Sequence, residues 1–141
     1  MDRKGSAVWQ GSIREGKGTV STESGTLKSA PYSFTSRFES GTGTNPEELL
    51  GAAHAGCFSM ALSGQLASEK LTADRIATTA TVTIEKVDGG FGITHVHLAC
   101  EAKISGADQA TFERLAGNAK GGCPVSKLFN TKITLDAKLV G

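Results

Sequence analysis

The amino-acid sequence predicts an α+β fold in which antiparallel sheet packs against helices. Three observations predict it: short β-type runs before residue 40, an apolar helical run after residue 45, and a long alternating hairpin after residue 75. Strands and helices that occur in separate runs are typical of this class, whereas regular β–α alternation would favour a parallel sheet. At 141 residues, the chain is expected to form a single domain, 1–141.

The first forty residues predict a small antiparallel meander. This part of the chain is rich in Gly, Ser and Thr, and turn signals in REGKG and ESGT separate its β-type runs. The three runs are SAVWQGSI, GTVSTES and YSFTSRF.

A long helix is predicted to begin after Asn45. Asn45 is a favourable N-cap, Pro46 suits the first helical position, and Glu48 is spaced to complete a capping box. From Leu49 to Leu62 nearly every residue is apolar, without a clear polar stripe. A helix of this kind, too short to cross a bilayer, belongs at the centre of a core or of a dimer.

The second half of the chain predicts a hairpin, two helices and a closing strand. Asp88-Gly89-Gly90 supplies the turn of the hairpin. One face of its return strand carries the apolar residues Val96, Leu98, Cys100, Ala102 and Ile104. A helix is expected from about Asp108 to Lys120, then a break at Gly121-Gly122 and a short helix from Cys123 to about Phe129. The strand KITLDAKLV follows.

Composition excludes several classes of function. The formal net charge is +1, with fifteen basic and fourteen acidic residues, so nucleic acid is not an expected partner. The N-terminus has no apolar signal-peptide core, and no segment is long enough for a membrane span. We therefore expect a soluble, cytoplasmic protein. We expect no metal, because neither Cys-x-x-Cys nor His-x-x-x-His spacing occurs, and no cofactor, because there is no P-loop or dinucleotide fingerprint.

The three cysteines could be free thiols, a redox pair or part of a metal site, because an odd number cannot all form disulfides within one chain. Cys100 is in phase with an apolar strand face, which favours simple packing. Cys57 fits either packing or reactivity. It lies far from the start of its helix, so a reactive thiolate there would need a basic side chain from elsewhere. Cys123 is expected at a helix start, where free N–H groups favour a thiolate, although it could also be an ordinary N-cap.

The histidines predict less. His95 and His97 share the polar face of one strand and could ligate a metal, but such a pair is more often only solvated. His54 lies within the apolar helix and is expected to be a hydrogen-bonded core histidine.

Three segments resemble the osmotically inducible protein C / organic hydroperoxide resistance family. They are GKGTVSTESGTL (16–27), GTNPEELLGAAHAGCFSMAL (43–62) and GCPVS (122–126). The most specific part is Asn-Pro-Glu followed ten residues later by cysteine, and the histidine of GAAHAGC resembles the osmotically inducible branch. The resemblance implies an intertwined α+β homodimer, with antiparallel sheets wrapped around central helices and two sites at the interface.

The resemblance also implies a thiol peroxidase that acts on organic hydroperoxides. The family's peroxidatic cysteine corresponds to Cys57, its resolving cysteine to Cys123, its glutamate to Glu47 and its arginine to Arg37. An external dithiol would reduce the Cys57–Cys123 disulfide, and the resemblance suggests lipoyl groups on proteins as one such reductant. No family role attaches to Cys100.

The spacing of Glu47 and Cys57 bears on how such a site is assembled. Ten residues along one helix separate the two by about 15 Å and by about 80° around the axis. We therefore predict composite sites, in which Arg37 and Glu47 of one subunit serve Cys57 of the other.

Two other functions stay open at this point. One is a stress protein that binds lipid-like small molecules in an apolar dimer cleft without turnover. The other is a thiol-based redox sensor, for which no basic patch or DNA-binding helix gives support.

Overall fold

The computed structural model describes residues 1–141, whose helices and strands fall into two units, 1–49 and 50–141. The boundary lies within the long helix α2, Pro46–Ser68. That the chain forms a single domain stays a prediction.

The first unit contains the predicted antiparallel meander. Its strands are β1 (Gly5–Gln10), β2 (Lys17–Thr22) and β3 (Ala30–Tyr32), in the order β1-β2-β3. The rings of Trp9 and Tyr32 pack across it with centroids 5.3 Å apart. The first two predicted runs are therefore confirmed.

The third predicted run, YSFTSRF, is corrected. Its strand ends at Tyr32, and Phe34–Phe38 forms a short helix, α1. The cause is a capping box, in which the Ser36 N–H donates to Ser33 Oγ at 3.2 Å and the Ser33 N–H donates to Ser36 Oγ at 2.8 Å. These local bonds satisfy free backbone donors at a helix start and outweigh the β propensity of the aromatic residues.

Helix α2 begins as predicted, but the Glu48 carboxylate has a different hydrogen-bond partner from the one expected in a capping box. The Asn45 side-chain oxygen accepts the Glu48 N–H at 2.8 Å, which confirms Asn45 as the cap. The Glu48 carboxylate accepts the Thr44 hydroxyl at 2.6 Å, in place of the Asn45 N–H of a standard capping box.

The buried stripe of α2 forms the centre of the second unit. His54, Phe58, Leu62 and Leu66 recur at four-residue intervals and have no exposed surface. Met60 lies off this stripe and is 81% exposed. The helix is therefore apolar on nearly all sides but buried on one side only within the single chain.

A long hairpin and a parallel strand form the sheet of the second unit. Strands β4 (Ala73–Val87) and β5 (Gly90–Ile104) pair antiparallel, as predicted. Gly89 and Gly90 in the turn have φ of +87° and +147°, which glycine adopts without strain. The predicted apolar face of β5 is buried at all five positions, Val96, Leu98, Cys100, Ala102 and Ile104.

The expected α+β class is confirmed, and its strands pair antiparallel as expected except for the closing strand. Strand β6 (Lys132–Leu139) pairs with β5 in parallel. Two helices lie between β5 and β6 along the chain, and a crossover of that length allows the chain to return in the same direction.

Helices α3 (Gln109–Gly122) and α4 (Pro124–Leu128) are close to their predicted positions. The Asp108 side chain caps α3 by accepting the Thr111 N–H at 2.7 Å. Gly121 and Gly122 were expected to interrupt the helix, but they form the last residues of α3. A Cβ added at either position would have no other atom within 4 Å. The helix ends at Cys123 because the next residue is a proline, which disfavours helical geometry in the residue before it.

None of the helices has the length and apolar character needed to cross a membrane.

Candidate functional site

Arg37 and Glu47, two of the predicted site residues, form an ion pair in the first unit. Arg37 Nη2 donates to Glu47 Oε1 at 2.8 Å, and Arg37 Nε lies 3.2 Å from both carboxylate oxygens. The Glu47 side chain is 9% exposed, whereas that of Arg37 is 37% exposed. Contact through two nitrogens fixes the plane of the guanidinium, and the exposed part of Arg37 can still meet a further anion.

A cavity of about 230 Å³ lies beside Arg37 in the first unit. It is lined by Trp9, Ile13, Tyr32, Ser33, Phe34, Arg37 and Phe38. An apolar, largely aromatic wall with one cationic group is typical of a site for an amphipathic small molecule. Phe38 lines this cavity, whereas Phe58 is fully buried in the core of the second unit.

Cys57 and Cys123, the other two predicted site residues, are neighbours in the second unit. Cys123 is fully buried and Cys57 is partly exposed, and neither forms a disulfide. Burial raises the pKa of Cys57, the Val125 backbone hydrogen bond lowers it, and the adjacent Cys123 thiol raises it again, for a net increase. Within this unit, Cys57 is therefore held as a thiol.

Cys123 is the N-cap of α4, as its position before Pro124 predicts. Its Sγ accepts the Ser126 N–H at 3.3 Å, and Pro124 occupies the first helical turn. The ordinary structural role and the proximity to Cys57 therefore coincide in one residue.

Ser126 was not singled out from the sequence, although it links two predicted residues. Its Oγ lies 2.7 Å from His54 Nε2 and 3.1 Å from Cys123 Sγ. The expectation that His54 is a hydrogen-bonded core histidine is confirmed. A serine three residues after an N-cap occupies the position at which a capping partner is found, and that signal could have identified it.

The environment of His54 is closed and mostly apolar. The ring has no exposed surface and meets the Phe129 ring edge-on, with centroids 5.1 Å apart. Its Nδ1 has no hydrogen-bond partner. Burial lowers the pKa of His54, so the imidazole is neutral near pH 7.

His95 and His97 are more than a solvated pair. His95 Nε2 and His97 Nδ1 lie 2.8 Å and 2.6 Å from the same Thr134 hydroxyl, and His97 Nε2 lies 3.1 Å from Asp136 Oδ2. No group of three or more His, Cys, Asp or Glu side chains is placed to hold a metal ion.

Cys100 packs in the core, as predicted. It is 2% exposed, and burial is the main cause of its raised pKa. A thiol of this kind is unreactive at neutral pH.

Comparison with known proteins identifies the family of the chain. The family model described as OsmC-like protein matches residues 39–138. The chain belongs to the OsmC family. Among its OsmC-family relatives, peroxiredoxin OsmC of Escherichia coli is 54% identical over 139 residues, which cover 99% of this chain and 97% of the relative.

More distant relatives belong to the organic hydroperoxide resistance proteins. OhrB of Bacillus subtilis is 31% identical over 125 residues, which cover 86% of this chain and 87% of the relative. A solved OsmC-like protein of unknown function from Vibrio cholerae has a TM-score of 0.77 at 16% identity, covering 97% of this chain and 99% of that chain. This last likeness is one of fold.

The buried His54 predicts a specific pH dependence of stability. Because burial lowers its pKa in the folded state, the unfolded chain binds this proton more readily, beginning at about pH 6.5. The His54 contribution to stability is therefore complete above about pH 6.5 and is lost as the pH falls toward the lowered value. Urea unfolding at pH values from about 7.5 to 5.5 should show a shallower acid-side decrease for His54→Gln than for the parent protein. If the unfolding free energies of the two proteins decreased equally with falling pH, His54 would not be the source of the acid-side loss.

Proposed function

We propose that this OsmC-family protein is a thiol peroxidase that reduces organic hydroperoxides to alcohols in peroxide stress defence in the cytoplasm. The observation that carries the proposal is the adjacency of the Cys57 and Cys123 thiols within the second unit. The relatives named peroxiredoxin and organic hydroperoxide resistance protein support the same reaction class.

The first step is attack by the Cys57 thiolate on the terminal peroxide oxygen. An S–O bond forms, the O–O bond breaks, and the organic part leaves as an alcohol after taking a proton. Cys57 becomes a sulfenic acid. Its partial exposure gives a peroxide access to this sulfur, which the buried Cys123 and Cys100 lack.

In the second step, the Cys123 sulfur attacks the oxidised Cys57 sulfur. An S–S bond forms, the S–O bond breaks, and the departing hydroxide takes the Cys123 proton to leave as water. An external dithiol, with protein-bound lipoyl groups as one candidate, returns both residues to thiols by disulfide exchange.

Arg37 and Glu47 are assigned to the activation of Cys57. The surroundings of Cys57 in its own unit raise its pKa, so a cation is needed to favour the thiolate. Arg37 is held by Glu47 and remains 37% exposed, which suits it for this role. We propose that it acts across the interface of a homodimer, because Glu47 and Cys57 are about 15 Å apart along α2.

The choice of substrate is assigned to the cavity beside Arg37. Its aromatic and apolar wall favours a peroxide with a carbon substituent over hydrogen peroxide, which gains nothing from apolar contacts. The same cavity favours the second candidate function, binding of an apolar small molecule without turnover.

Counting thiols separates these two functions. On treatment of the reduced protein with one equivalent of cumene hydroperoxide, two thiols per chain should be lost and then regained with dithiothreitol. Cys100→Ala should also lose two, because the buried Cys100 takes no part, whereas Cys57→Ser should lose none. A protein that only binds ligands would keep all three thiols.

Subunit mixing tests the composite site. A Cys57→Ser chain combined with a Glu47→Ala chain should recover activity, because each mixed dimer contains one site with both residues intact. Random pairing predicts about a quarter of the parent activity for a two-fold symmetric dimer. Mixing Cys57→Ser with Cys57→Ala is the control and should recover none. Inactive mixtures in which native mass spectrometry detects mixed dimers would contradict the composite site.

A further inference from the structure

The hydroxyl of Ser126 connects a buried histidine to the sulfur of Cys123. Its Oγ lies 2.7 Å from His54 Nε2 and 3.1 Å from Cys123 Sγ. His54 and Cys123 have no exposed surface, and Ser126 is 7% exposed. Water therefore has little access to this chain of contacts, and each hydrogen bond in it is difficult to replace.

The unpartnered nitrogen of His54 determines the direction of these hydrogen bonds. Buried N–H donors without an acceptor are rare, whereas unpaired acceptors are better tolerated. Since Nδ1 has no partner, the favoured tautomer has its proton on Nε2. His54 then donates to the Ser126 oxygen, and the only remaining hydrogen of that hydroxyl points to Cys123 Sγ.

Cys123 Sγ accordingly receives two hydrogen bonds from one residue. The Ser126 N–H donates to it at 3.3 Å and the Ser126 O–H at 3.1 Å. Donors directed at a sulfur stabilise negative charge on it. These two donors also occupy the side of Cys123 Sγ that faces Ser126, so the thiol proton of Cys123 points away from Ser126.

We propose that His54 and Ser126 are positioning residues for disulfide formation: His54 orients the Ser126 hydroxyl, and Ser126 stabilises the negative charge that develops on Cys123 as it attacks oxidised Cys57. This inference rests on the proposed peroxidase function and concerns its second step. Neither residue gives up a proton. The Cys123 proton goes to the hydroxide that leaves Cys57, so the products are one disulfide and one water.

The test separates the two steps in time. Reduced protein in a Cys100→Ala background is mixed with cumene hydroperoxide and quenched with acid at intervals. Sulfenic acid is then trapped with dimedone, and the disulfide is quantified by mass spectrometry. The ratio of the second-step rate to the first-step rate is the readout.

Ser126→Ala should lower this ratio by about tenfold or more, the effect of losing a hydrogen bond to a charged group. Ser126→Thr, which keeps the hydroxyl, should stay within about threefold of the parent. His54→Leu should lower the ratio, and His54→Gln, which retains a neutral donor, should restore most of it.

The outcomes distinguish this inference from the proposed function. Absence of a first step in the parent protein would refute the peroxidase itself. A normal first step, with ratios in Ser126→Ala and His54→Leu within about twofold of the parent, would refute the role of His54 and Ser126. Equal losses in Ser126→Thr and Ser126→Ala would refute it too, because retaining the hydroxyl would then make no difference. If Ser126→Ala does not fold, the two His54 variants decide the question.

Discussion

The hydrogen bond between His54 and Ser126 joins helix α2 to helix α4 beside the two predicted reactive cysteines. The two residues are 72 positions apart in the chain, and both are buried. Breaking the bond would leave polar atoms unpaired in the interior, so it strongly favours one arrangement of the helices. Cys57 lies almost one helical turn beyond His54, and Cys123 lies three residues before Ser126. The same bond therefore links the two segments that carry the sulfur atoms.

The two units divide the proposed chemistry between them. The second unit supplies both thiols, but its interior raises the pKa of Cys57 and so favours the unreactive form. The first unit supplies a guanidinium that a nearly buried carboxylate holds in place. In the proposed mechanism Arg37 has to reach Cys57, and we propose that it does so from the partner subunit because of the length of α2 between Glu47 and Cys57.

Much of the fold could be predicted from local patterns. Asn45 and Pro46 identified the start of α2, and strict alternation identified the buried face of β5. Helix α1 was missed because its stability comes from two serine side chains, whereas Phe34 and Phe38 suggested a strand. The direction of β6 was missed because alternation shows which face is buried but contains no information on the neighbouring strand or its orientation.

For the candidate site, the residues were easier to predict than their connections. Arg37 pairs with Glu47 and Cys57 adjoins Cys123, while the roles that the family resemblance implied for these four residues stay predictions. The contact of Ser126 with His54 could not be predicted, because it depends on how two distant helices pack. The role of Gly121 and Gly122 was misjudged for a related reason: glycine disfavours helix only weakly, and the chain around these residues keeps them helical.

The most direct test of the proposed mechanism is to identify the disulfide formed in a single turnover. The protein is treated with one equivalent of cumene hydroperoxide, digested without reduction, and analysed by mass spectrometry for linked peptides. The expected product has one intramolecular link, between Cys57 and Cys123, with Cys100 still alkylated as a free thiol. A link that contains Cys100, or one that joins Cys57 to Cys57 of another chain, would contradict it.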